Sequence, residues 1–130
     1  MTVQRSCFAF IAGFAVLAAF AGNALAASQE TNLRIGNAAD LADFCATPRS
    51  EPTGPERLNF CHGYAQGALT TELRHENATG KKRICMPNPA PPRDVTMGEF
   101  VKWVRSAPKN QTMVATDGLF TFLSERFPCK

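Results

Sequence analysis

The sequence predicts an all-α fold, a small disulfide-stapled bundle of about four helices, and three observations carry that expectation. Apolar residues recur at helical spacing in several stretches of the chain. No stretch alternates apolar and polar residues as a half-buried strand would. Four cysteines, Cys45, Cys61, Cys85 and Cys129, are spread through a domain too small to rely on its core alone.

The elements are read from residue 27 onward, because residues 1–26 have the pattern of a cleavable signal peptide. Arg5 gives a positive start, Cys7 to Gly22 is almost unbroken apolar and small sequence, and Ala24-Leu25-Ala26 is a small-x-small cleavage pattern. The apolar run is too short for a stop-transfer span, so no membrane segment is expected after cleavage. Residues 27–130 then form one domain of 104 residues. Its 13 basic and 11 acidic side chains leave a charge of only +2, which excludes a nucleic-acid binder that works by bulk charge.

Asn37 caps a short first helix, with Asp40 in its first turn and Leu41, Phe44 and Cys45 on one face, and Pro48 stops it. Thr53 and Glu56 have capping-box spacing, and Pro55 suits a first helical turn. Leu58, Cys61, Ala65, Ala68 and Leu69 carry the second helix to about Arg74. Gly63 and Gly67 share a face of it, which predicts close approach by another element, either within the domain or across a helix–helix dimer. If the contact lies within the domain, Gly67→Leu overpacks it.

Residues 75–92 read as a long loop, basic at Lys81, Lys82 and Arg83, then proline-rich, with Cys85 at its centre. Thr96 and Glu99 resemble a second capping box. Met97, Phe100, Val101 and Val104 form one apolar face of a third helix, and Trp103 lies off that stripe. Pro108 ends it. The last helix carries Met113, Leu119, Phe120, Leu123 and Phe127.

An even cysteine count in an exported domain of this size reads as two disulfides, and three pairings are open. An up-and-down helix order favours Cys45–Cys61 and Cys85–Cys129, because the end of the first helix then lies beside the early turns of the second. A zinc site made with His62 or His75 is the rival reading. There is no C-x-x-C pair, so neither metal nor cofactor is expected. Haem attachment is excluded by Leu58, which stands where the motif needs a cysteine. Ser50, Ser106 and Ser124 lack a G-x-S-x-G turn, the cysteines are tied up in pairs, and no phosphate loop or HExxH is present. The chain is therefore not expected to be an enzyme.

Four ordered signatures then carry a resemblance: Phe44-Cys45 at the end of the first helix; Cys61-His62-Gly63-Tyr64-Ala65-Gln66-Gly67; Cys85-Met86-Pro87 followed by Val95-Thr96; and Phe127-Pro128-Cys129. With these, residues 41–129 resemble the Tai/Rap family of periplasmic immunity proteins that accompany type VI secretion effectors. The resemblance implies a small helical protein, commonly homodimeric, that binds and blocks a peptidoglycan-cleaving amidase in the periplasm. Three departures from the family pattern are Ala68-Leu69-Thr70, where an aspartate is common, Ala107-Pro108-Lys109, where histidine-proline-glutamate is, and a more basic and proline-rich loop from Thr79 to Pro92. By elimination, partner contacts are expected on Lys81, Lys82, Arg83 and Arg93 and on the third helix around Trp103, since the apolar faces are needed for the core. The alternative is a periplasmic helical domain with a housekeeping or chaperone-like role and no toxin partner.

Overall fold

The computed structural model describes Arg34–Lys130, so the signal-peptide reading lies outside the described residues. Five helices occupy this region: α1 Ala38–Ala46, α2 Gly54–Thr79, α3 Arg93–Ser106, α4 Pro108–Gln111 and α5 Ala115–Arg126. The all-α expectation is met, and no strand is present among the described residues.

Helix α1 is nine residues long, too short to persist alone in water. Its start is fixed locally by a capping box. The Asp40 amide donates to Asn37 Oδ1 at 2.9 Å, and the Asn37 amide donates back to Asp40 Oδ2 at 3.1 Å. Its remaining stability comes from burial, with Ala38, Leu41, Ala42 and Phe44 turned into the core. Around it pack Phe100 and Val104 of α3, Leu119, Phe122 and Leu123 of α5, and Cys61 and Ala65 of α2. Full burial of Leu41, Phe100 and Leu119 stabilises the fold by about 2–3 kcal/mol for each side chain. Phe100 and Phe122 meet edge-on at 5.6 Å between centroids, and the Arg57 guanidinium lies 4.0 Å over the Phe44 ring.

The cysteines pair as Cys45–Cys61 and Cys85–Cys129, with Cα–Cα distances of 5.3 and 4.9 Å. This is the pairing that the up-and-down order favoured. Loops of 16 and 44 residues correspond to about 3 and about 4 kcal/mol of unfolded-state restriction.

Several local expectations are corrected. Helix α2 continues to Thr79, five residues beyond Arg74. The apolar spacing fades there, and the last turn is closed by Gly80, whose φ of 70° is the left-handed cap that glycine adopts without strain. Thr53 precedes α2 without a side-chain cap bond. Helix α3 starts at Arg93, before the expected cap, so Thr96 lies inside it and its hydroxyl bonds the Pro92 carbonyl. Pro108 ends α3 by opening a separate turn, α4. There the buried Asn110 donates to the Trp103 carbonyl at 2.9 Å and satisfies the end of α3.

The within-domain alternative for the glycine pair is also overturned. A Cβ added at Gly63 or Gly67 meets nothing within 4 Å, so no element of the domain approaches that face. The close approach occurs instead at Gly118, where a Cβ would lie 2.8 Å from Ala38 Cβ, at the crossing of α5 and α1. Opposite outcomes follow from adding a methyl group at the two positions. Gly67→Ala should raise stability by about 1 kcal/mol through helix propensity. Gly118→Ala should lower it by about 1–3 kcal/mol by forcing α1 and α5 apart. Thermal unfolding of the two variants reads the sign directly, and equal melting temperatures would contradict the packing described here.

Candidate functional site

The most irregular part of the domain is the segment of residues 80–92 between α2 and α3, and it is tied down at both ends of its basic half. The buried Glu76 carboxylate, on the last turns of α2, accepts the Arg83 amide at 3.1 Å and the Ile84 amide at 3.4 Å. The Arg83 guanidinium pairs with Glu72 and approaches Glu76 at 3.8 Å. Beyond it, the Cys85 amide donates to the Phe127 carbonyl at 2.8 Å beside the disulfide to Cys129, and Ile84 is buried.

The five residues expected to meet a partner therefore fall into different settings. Lys81 and Lys82 are exposed at the start of the loop. Arg83 is exposed too, but it is engaged with α2. Arg93 stands at the start of α3 and donates to Gln66 Oε1 of α2 at 3.1 Å. Trp103 is half-buried, packs between Phe100 and Phe122, and donates its indole N–H to Glu125 at 2.8 Å. Ten residues of helix separate it from Arg93, about 15 Å along the axis, so the two are not one cluster.

Arg93 lines two adjoining hollows. One, of about 340 Å³, is mostly apolar, with Leu69, Met86, Pro91, Met97, Leu119 and Leu123 in its walls. The other, of about 310 Å³, brings together Arg49, His62, Arg93 and Asp94 with Leu58 and Met97. Burial, then the charges of Arg93 and Arg49, hold the His62 imidazole below its usual 6.5, with Asp94 acting weakly in the opposite sense.

Sequence reading weighed His62 as a zinc ligand and passed over Arg49. The signal was present in the cysteines. Arg49 lies four residues after Cys45 and His62 directly follows Cys61, so the pairing Cys45–Cys61 brings the two side chains together. Glu76 was missed because a glutamate late in a helix looks like surface charge until the loop amides it accepts are in place.

Nothing in this arrangement joins a nucleophile to a base, and among the described residues no three His, Cys, Asp or Glu side chains stand close enough to hold a metal ion. What the site offers is a tethered loop, two hollows and positive charge, the equipment of a protein that binds another molecule. Comparison with known families agrees with that class. A model of the Rap1a immunity proteins matches residues 37–129, and the chain belongs to this family. No curated protein and no solved structure gives a significant match.

Two outcomes test the site's construction. Glu76→Ala leaves the Arg83 and Ile84 amides without their acceptor and should cost about 2–3 kcal/mol. Fast exchange of both amides should accompany it, and an unchanged melting curve would refute the clasp. His62 binds its proton less readily when folded than when unfolded. Stability should therefore fall as pH drops below 6.5, where the unfolded chain takes up the proton first. His62→Gln should flatten that part of the stability profile, measured by denaturant titration between about pH 7.5 and about pH 5.5.

Proposed function

We propose that this protein is a periplasmic immunity protein that binds and blocks a peptidoglycan amidase effector of type VI secretion. The observation that carries the reading is membership of the Rap1a immunity family over residues 37–129, which implies a toxin partner. The amidase target and the periplasm come from the four cysteine-framed signatures and the leader pattern of residues 1–26. Two disulfides fit an oxidising compartment.

Inhibition in this reading is steric. The Cys85–Cys129 disulfide, the Glu76 clasp and the buried Ile84 restrain the loop at residues 83–85, so less ordering entropy is lost on docking. Lys81 and Lys82 supply exposed charge for recognition, Arg83 holds the loop to α2, Arg93 closes the contact at the start of α3, and Trp103 borders it further along the same helix. A loop lodged in the amidase cleft excludes substrate without any catalytic group of its own. The open Gly63–Gly67 face is left free for pairing with a second copy of the chain.

The test is a titration against a peptidoglycan amidase effector of type VI secretion. Excess protein should abolish peptidoglycan cleavage in vitro, and co-expression should protect cells that carry the amidase in the periplasm. Lys81→Ala with Lys82→Ala should weaken binding about tenfold or more without lowering the melting temperature. Undiminished cleavage in the presence of excess wild-type protein would end the immunity reading. Unchanged affinity of the double variant would move the contact off the loop.

A further inference from the structure

The second hollow gathers positive charge that the chain itself leaves uncompensated. Arg49 comes from the α1–α2 connector, His62 from α2 and Arg93 from the first turn of α3, and Asp94 is the single acidic side chain in the wall. Among the described residues Arg34 and Arg74, like Arg49, make no side-chain hydrogen bond or ion pair, but neither lines this hollow, and the other surface arginines are engaged. Arg83, Arg105 and Arg126 each meet a carboxylate, and Arg57 is held by Thr47 and the Phe44 ring. Arg93 meets only the neutral amide of Gln66, and among the described residues Arg49 has no side-chain hydrogen bond or ion pair. Two guanidinium groups from separate elements thus face one hollow of about 310 Å³, with Leu58 and Met97 supplying apolar wall.

We propose that this hollow is a carboxylate-binding site. Planar guanidinium forks match a carboxylate's two oxygens, and the apolar wall accepts the methylene groups that carry it. The carboxylate is either an acidic side chain of the docked effector or a small free carboxylate. The first source rests on the immunity reading, whereas the site itself does not.

Binding here is coupled to protons. His62 faces Arg49 from the connector and Arg93 and Asp94 from α3, and both arginines disfavour its charged form. A carboxylate seated among them offsets that effect and favours the imidazolium, so binding takes up a proton and strengthens as pH falls from about 8 to about 6.

The experiment uses the protein purified from the periplasm, with glutarate as the probe and its uncharged analogue glutaramide as the control, followed by NMR of the His62 ring and the arginine side chains. Expected are saturable shifts with glutarate alone, a rise in the His62 pKa at saturation, and tighter binding at about pH 6 than at about pH 8. Arg49→Met and Arg93→Met should each weaken glutarate about tenfold. In a second arm the amidase effector of the proposed function is titrated with and without glutarate. Competition assigns the site to an effector side chain, and glutarate binding without competition assigns it to a free carboxylate. Saturation by glutarate with an amidase that does not bind at all would remove the immunity reading and keep the site. The proposal is overturned if glutarate gives no saturable response and neither arginine variant alters amidase affinity.

Discussion

Burial of α1 is the constraint on which the rest of the molecule depends. A nine-residue helix contributes little on its own, yet it is the element against which α2, α3 and α5 all pack. Leu41 is fully buried, and Ala38 is small enough to let Gly118 bring the α5 backbone against it. The Cys45–Cys61 bridge then fastens the end of α1 to α2 covalently. With the centre set in this way, the second disulfide has a different task. It joins the short segment after α5 to the α2–α3 loop, where the Cys85 amide and the Phe127 carbonyl already meet.

The consequence for function is a division of labour along the chain. Residues of the apolar faces, and the cysteines, maintain a frame. Residues 80–92 and the start of α3 display charge and two hollows on it. The Glu76 carboxylate connects the two parts, because it belongs to the helix and accepts hydrogen bonds from the loop. A buried carboxylate given over to two backbone amides is costly unless both bonds persist, so the loop and the last turns of α2 stand or fall together.

Much of this was legible in the sequence. The Asn37–Asp40 cap, the stripe Met97, Phe100, Val101 and Val104, and the proline-closed ends of the helices follow from local rules that tertiary packing left intact. The errors came where local patterns had alternatives. Thr96 and Glu99 fit a capping box, but Arg93 and Asp94 are equally able to begin a helix behind Pro92. The pair Gly63 and Gly67 looked like a packing motif, whereas the glycine that packs, Gly118, stands alone and has no spacing to reveal it. The cationic hollow was hidden because Arg49, His62 and Arg93 lie in three separate stretches, and only the disulfide joins two of them in sequence logic.

The central claim is that a rigid frame presents residues 80–93 for recognition. Amide hydrogen exchange of the protein, free and bound to the proposed effector, tests this most directly. In the free protein the Arg83, Ile84 and Cys85 amides should exchange far more slowly than an unstructured loop would, and binding should add protection chiefly within residues 80–93. Rapid exchange throughout that stretch in the free protein, or added protection confined to the Gly63–Gly67 face, would contradict the account.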